Sequence, residues 1–331
     1  MDDLFSDAVR QLLTDQCTAN HVRAIEAGQP AAALWQMIED AGFADALVSP
    51  AQGGAGLSLA EVCPVLMLCG SFALPVPLGE TMLARVLLAQ TGAAIPAGSI
   101  TFGVALPGAE GSLVCANLPS ARVADWALLT TPTGCLLLPL GSAQMSAAAF
   151  CLDARSDWPA AAVAAGLPVA SNHDPRLLQA CLSAAQLAGA LLAVFERTLQ
   201  YANSRNQFGR PIGKFQAIQH QLSVISEQAF AARMAAQIGC QSNSAMPERL
   251  RVAVAKARCS EAALEVAAIS HSIHGAIGFT AEFDLQLYTR RLHLWRQAGG
   301  SESYWHDVLG AELVDQQSGL ALDLIRSTTD F

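Results

Sequence analysis

Apolar residues recur at helical spacing near the start of the chain, give way to short β-favouring runs, and return to helical spacing beyond. In "AAALWQMIEDAGF", Leu34, Met37 and Ile38 share one helix face and Gly42 ends it. "LAEVCPVLMLCGSFA" resumes an apolar helix after the glycine-rich "SPAQGGAGLS". From about residue 98, "SITFGVALPG", "SLVCANLP" and "WALLTTPTGCLLLPL" are strand-like runs broken by Pro-Gly, Asn-Leu-Pro and Pro-Thr-Gly turns. Beyond about 173, "PRLLQACLSAAQLAGALLAVFERTLQYANS" has no internal proline. Ile218, Leu222, Ile225 and Ala229 form one stripe, while Val252, Cys259, Val266 and Ile273 lie seven apart with alanines between them. Long alanine-rich helices with apolar seams predict an antiparallel bundle with close helix contacts. The pattern therefore predicts an N-terminal helical domain (1–97), a middle β domain (98–172) and a C-terminal helical bundle (173–331), a mainly α chain with a small β domain.

Composition narrows the classes. The 331 residues are 52% hydrophobic and 14% charged, with a net charge of −9. That favours a large buried core and argues against nucleic-acid binding through a general basic surface. The start, "MDDLFSDAVR", is acidic and has no apolar signal core. The longest apolar run, "CLSAAQLAGALLAVFERTL", is interrupted by Gln186 and ended by Glu196, which reads as too short for a bilayer. A cytoplasmic chain with no membrane partner is the expectation. Nine scattered cysteines without a Cys-x-x-Cys pair suggest reduced, mostly buried thiols. Gly53, Gly54 and Gly56 lack the order and the preceding strand of a phosphate cradle, so a plain turn is expected.

Chemistry concentrates late in the chain. "SRNQFGRPIGKFQAIQH" places an arginine, an aromatic and three glutamines within seventeen residues of a chain poor in charge. His271 and His274 lie three apart without an evident third metal ligand. "GGSES" is not a Gly-x-Ser-x-Gly nucleophile elbow and follows no strand, so a hydrolase finds little support. With the helix–strand–helix order, "YANSRNQFGRPIGKFQAIQH" resembles the Arg-x-x-Phe-Gly…Phe-Gln segment of the acyl-CoA dehydrogenase family. "SIHGAIGFTAEFDLQLYTRR" is similar to that family's glycine turn and following basic helix, and "QAGGSESYWHDVLG" lies where it has a Glu-Gly-Thr-Ser turn. The resemblance is strong from about 176 to 314 and looser before.

The resemblance implies an N-terminal helical domain, a shortened middle β-barrel and a C-terminal four-helix bundle. It also implies FAD as cofactor, an acyl-CoA substrate oxidised between Cα and Cβ, and electron-transfer flavoprotein as acceptor. Arg205, Gln207, Phe208 and Phe215 would reach the ADP part of a neighbouring subunit's FAD, and Ser272, Ile273, Gly275 and Ala276 would receive the same moiety. The alternative for Arg205 is a surface arginine at a helix end. A carboxylate must take the α-proton, and an apolar, dry pocket makes a glutamate a competent base. Ala298 occupies the place of the family's turn glutamate; the resemblance implies a second position for the base, in the helix before the glycine turn, which matches Glu261, and Glu302 is a weaker candidate. Periodicity alone reads Glu261 as a solvated helix residue. Arg290, Arg291 and Arg296 are either CoA-phosphate partners or ordinary helix-surface residues. The middle region departs most from the family pattern, since "FGVALPGAEGSL" lacks its acidic-proline pair. Short members with a reduced middle domain pair with a longer relative and act on steroid-derived or other ring-bearing acyl-CoAs. Two assemblies follow: a catalytic homo-oligomer (dimer or tetramer), or a heterotetramer in which this chain supplies FAD-binding residues to a related subunit.

Overall fold

The computed structural model describes residues 4–171, 173–316 and 321–329. Five helices come first: Leu4–Gln16 (α1), Ala19–Glu26 (α2), Ala32–Asp40 (α3), Leu59–Ser71 (α4) and Leu78–Thr91 (α5). Local chemistry sets their ends. Thr18 Oγ1 accepts from the His21 amide to cap α2. Ser58 and Glu61 cap the first turn of α4 reciprocally: Glu61 Oε2 accepts from the Ser58 amide at 2.8 Å and Ser58 Oγ from the Glu61 amide at 3.3 Å. Gly42, at φ 73°, follows α3 where the sequence expects the stop. Gly54 lies so close to the Val48 and Asp45 carbonyls that a Cβ would clash, so the glycine-rich stretch is a turn folded onto residues 45–48.

The chain forms two compact units. The first comprises residues 1–62, 74–178 and 244–246. Within it α5 is buried from Leu78 to Ala89 apart from Glu80, and carries Arg85 inside. Arg85 is held by Glu39, by Asp45 Oδ2 at 2.8 Å and by the Gly98 carbonyl at 3.0 Å. Burial alone would raise the Glu39 pKa, but the Gly98 N–H and the Arg85 guanidinium outweigh it and hold the carboxyl below its ordinary value.

Eight strands follow in this unit: Ile100–Val104 (β1), Leu106–Pro107 (β2), Leu113–Leu118 (β3), Trp126–Thr131 (β4), Gly134–Pro139 (β5), Gln144–Ala147 (β6), Ala154–Trp158 (β7) and Leu167–Val169 (β8). They make two four-stranded sheets, ordered β1-β4-β5-β8 and β2-β3-β7-β6. β1 runs parallel to β4, with Ile100 opposite Trp126, and the other pairings are antiparallel. Leu113, Cys115, Leu129, Leu138 and Trp158 share one core between the sheets. Trp158 is fully buried, and its indole donates to the Pro139 carbonyl at 3.1 Å.

The second unit comprises residues 63–73, 179–243 and 247–331. A short helix, Ala160–Ala164 (α6), precedes Pro175–Ser204 (α7) in the chain, and Gln216–Gly239 (α8), Arg249–His274 (α9), Leu285–Gln297 (α10), Glu302–Ala311 (α11) and Ala321–Thr329 (α12) follow. The predicted seams are buried except for half-buried Ile218: Leu222, Ile225 and Ala229 on α8, and Val252, Cys259, Val266 and Ile273 on α9. Small residues set the spacing. A Cβ on Gly189 of α7 would sit 1.8 Å from the Met67 carbonyl oxygen of α4, so only glycine permits that crossing. The apolar run judged short in the sequence belongs to the 30-residue α7, which is long and apolar enough to cross a membrane by length and composition. Of its most apolar window, 83% is buried inside the protein.

All nine cysteines are free and seven are buried. Cys259, Cys63 and Cys181 donate to the α8 carbonyls of Ala232, Ala236 and Gly239. Burial pushes the Cys259 thiol up to about 12, so it stays neutral and unreactive.

Candidate functional site

The segment that stands out in the sequence is a two-residue hairpin in the structure. The Arg205 amide closes α7 by donating to the Tyr201 carbonyl at 2.8 Å, and Asn206–Gln207 (β9) pairs antiparallel with Arg210–Pro211 (β10). The two residues between the strands, Phe208 and Gly209, both have left-handed φ, 52° and 80°. Such a turn matches the twist of a hairpin but favours Asn or Gly first, so phenylalanine there is strained. Its ring is 91% exposed. Phe215 meets it edge-on at 6.1 Å, and the Arg210 guanidinium lies over Phe215 at 4.3 Å. Arg205 and Gln207 are exposed, and the Arg205 guanidinium has no side-chain partner among the described residues. The tip therefore presents a planar cation, an aromatic face and an amide to solvent, the groups that hold a phosphate-bearing aromatic ligand.

The second predicted element lies at the root of this hairpin. Tyr201, four residues before Arg205, donates its hydroxyl to the His274 carbonyl at 3.3 Å and stacks on the His274 ring at 4.3 Å. That contact ties the end of α7 to the turn after α9. At the turn Gly275 has φ 66° and ψ −147°, and Ser272, Gly275 and Ala276 are exposed. Ile273 completes the buried α9 seam and is only 6% exposed, so at this position the turn offers backbone rather than side chain. An open groove of about 540 Å³ lies beside Ser272, lined by Leu264, Ala267, His271, Phe279 and His293 as well.

His271 and His274 are packing groups. Burial lowers both pKa values, and they stack within the turn, His271 on Phe279 at 4.2 Å. Nδ1 of His274 contacts the Ser270 carbonyl at 2.8 Å, which fixes the proton on that nitrogen. Among the described residues no group of three or more His, Cys, Asp or Glu could hold a metal.

The carboxylates do not occupy the expected surroundings. Glu261 is 46% exposed, with Arg258 Nη1 at 3.9 Å and His306 Nε2 at 3.4 Å. This is a solvated ion pair on the outer face of α9, not an apolar enclosure, because Glu261 lies off the Cys259–Val266 seam. Glu302 pairs with Arg296. Burial alone would raise its pKa, but that arginine outweighs it and holds the carboxyl below its ordinary value. The contacts of Arg290, Arg291 and Arg296 are, of the two roles open to them, those of structural helix residues. Arg291 is buried and donates to the Leu287 carbonyl at 3.1 Å, Arg296 is taken by Glu302, and Arg290 donates to the Gln286 carbonyl.

The turn carrying Ala298 is braced from several sides. Trp305 Nε1 donates to the Gly299 carbonyl at 3.0 Å, and a Cβ on Gly299 (φ 70°) would sit 2.5 Å from the Ala180 amide nitrogen. Beneath it, fully buried Lys256 donates from Nζ to the Arg296 carbonyl at 2.7 Å and to Ser260 Oγ at 2.9 Å. Burial brings its pKa down to about 7. Sequence reasoning missed Lys256 and Tyr201. The available signals were a lysine at seam spacing between Val252 and Cys259, and an aromatic one helical turn before the hairpin arginine.

Residues 178–313 match the family model described as acyl-CoA dehydrogenase, C-terminal domain. The chain is 32% identical over 263 residues to the acyl-CoA dehydrogenase IpdE2 of Mycobacterium tuberculosis, covering 78% of this chain and 80% of that protein. IpdE2 of Mycolicibacterium smegmatis is 30% identical over 267 residues, covering 78% and 81%. Among solved structures, the Tcur3481-Tcur3483 steroid ACAD G363A variant superposes with TM-score 0.74 at 25% identity, covering 92% of this chain and 95% of that one. The ChsE4-ChsE5 complex from Mycobacterium tuberculosis superposes with TM-score 0.75 at 20% identity, covering 96% and 100%, a likeness of fold.

Proposed function

Since the chain belongs to the acyl-CoA dehydrogenase family, we propose that it works as a subunit of an FAD-dependent assembly that oxidises the Cα–Cβ bond of an acyl-CoA thioester to the enoyl-CoA. The observation that carries this reading is the hairpin tip, with Phe208 91% exposed in a left-handed conformation. The exposed residues fit the ADP part of FAD: Arg205 offers a fork for the pyrophosphate, Phe208 and Phe215 an aromatic surface, and Gln207 and Ser272 polar contacts. Tyr201 sets the hairpin root against the 272–276 turn, so both act on one ligand. When bound, the flavin supplies the acceptor for the hydride leaving Cβ. Glu261 is the chain's own candidate to take the α-proton, which requires that substrate or a neighbouring subunit shield it from water. Electrons then pass to an electron-transfer flavoprotein. The likeness to the Tcur3481-Tcur3483 steroid ACAD supports a ring-bearing acyl group as the substrate class.

A second reading has its own support. Ala298 stands where the family carries an acid, and Glu261 is solvated, which favours a half-site subunit that lends Arg205 and Phe208 to a longer relative holding the reacting flavin. The visible spectrum separates the two. A yellow protein, purified alone and bleached by an acyl-CoA without oxygen, supports the first. A colourless chain that acquires flavin only with a related subunit supports the second, and no flavin in either state sinks both. In the first case E261Q is expected to retain FAD and lose bleaching; retained turnover removes Glu261 from the reaction.

A further inference from the structure

We infer that Lys256 is a positioning residue for the Ala298–Gly300 turn, acting through the Arg296 carbonyl at the last turn of α10. Three observations converge on it. Lys256 has no exposed surface, yet it lies in α9 with its amine directed at a backbone oxygen of α10 two residues before Ala298. Its second contact, Ser260 Oγ, is one helical turn along α9, so the amine is fixed by its own helix while it holds the neighbouring one. The turn it supports contains two successive left-handed glycines, Gly299 at 70° and Gly300 at 105°. Trp305 and Ala180 close on that turn from other sides. Glycine adopts a left-handed φ freely where other residues do not, so the braces around this turn, rather than the glycines, hold it to one shape.

The charged and titratable groups facing the amine are Cys259 on α9, Arg296 on α10 and Glu302 on α11. Beside the amine, Arg296 Nε and Glu302 Oε2 are buried without hydrogen-bond partners among the described residues. Attraction for Glu302 does not explain the amine's placement, because Arg296 already takes that carboxylate. The bond to the Arg296 carbonyl does. Neutral lysine still has donors for both contacts, so the brace survives deprotonation.

The inference rests on the proposed function only for its consequence, that the turn borders the acyl site; the positioning itself is tested without flavin. In K256M, hydrogen exchange at the Ala298 and Gly300 amides is expected to accelerate at least about ten-fold, while peptides from α8 exchange as in the wild type. Exchange at the turn within about two-fold of wild type, or an equal rise across α8, overturns the assignment, the latter because an ordinary core lysine would loosen the whole bundle. If K256M does not fold, K256Q keeps an amide NH2 donor on a shorter side chain and is expected to raise exchange at the same two amides by a smaller factor. No local rise there overturns the inference equally. In the flavin-loaded assembly, K256M is expected to raise KM for the acyl-CoA more than it lowers kcat. An inactive wild type would count against the proposed function and leave the exchange result standing.

Discussion

Removing the Lys256 charge should change how stability depends on pH, by an amount that follows from its burial. Desolvation lowers the amine from 10.5 to about 7, opposed by attraction to Glu302 and reinforced by repulsion from Arg296. The folded state thus prefers the neutral amine, and between these two values the unfolded chain holds the extra proton. Stability contributed at this site therefore rises with pH through that window and is lowest at and below pH 7. The full shift corresponds to about 5 kcal/mol, and the part expressed between about pH 7.5 and about pH 9 is roughly 2 kcal/mol. Cysteines with raised pKa, such as Cys259, act in the opposite direction at the alkaline end, so a wild-type curve alone is ambiguous. The assay is urea unfolding of the wild type and K256M at both pH values, taking the difference between the two chains, in which the shared cysteine contribution largely cancels. The wild type should gain about 2 kcal/mol relative to the variant across the interval. A difference that stays flat to within about 0.5 kcal/mol would mean that water or Glu302 keeps the amine protonated, and would refute the reasoning.

The remaining predictions concern the hairpin turn and the Ala298–Gly300 turn. F208N replaces a strained residue with one that suits the first position of this hairpin turn. The relief of about 1 kcal/mol offsets the lost edge contact with Phe215, so the melting temperature should barely move while flavin retention falls in the complete assembly. Unchanged retention would remove the ring from cofactor binding. G299A places a Cβ 2.5 Å from the Ala180 amide nitrogen at a left-handed φ, and should destabilise the chain by roughly 2–4 kcal/mol in chemical unfolding. A change under about 1 kcal/mol would show that the turn yields readily and is not braced.

The sequence exposed periodic features well. The α8 and α9 seams are visible because burial on one helix face repeats every three or four residues, and Leu222, Ile225, Val252 and Cys259 are buried as that spacing requires. The hairpin was visible as composition, although its left-handed Phe208 was not, since turn type depends on strand pairing. Side-chain surroundings were the hardest to read. Glu261 and Lys256 lie five residues apart on one helix, yet one is solvated and the other fully buried. Helical spacing near Cys259 hints at both outcomes. What buries Lys256 is the approach of α10 and α11, and its pairing with a carbonyl forty residues away leaves no local trace. The surroundings of the arginines were illegible for the same reason, because Arg296 finds Glu302 across a turn and Arg291 faces inward.

The hairpin tip has an energetic asymmetry that bears on assembly. A left-handed phenylalanine costs about 1–2 kcal/mol relative to an ordinary backbone conformation, and an exposed ring recovers little of this from burial. Within the chain the compensation is slight: one edge contact with Phe215, and a guanidinium over the Phe215 ring rather than over Phe208. Burying a phenylalanine against another surface contributes roughly 1.5–3 kcal/mol, enough to offset the strain only if the surface lies outside this hairpin. Arg205 makes the same argument in electrostatic terms, as an exposed guanidinium without a side-chain partner among the described residues, in a chain of net charge −9. Strain, exposure and charge therefore all favour a contact that the described residues do not supply, which is what the proposed reading, a dinucleotide held by a neighbouring subunit, requires.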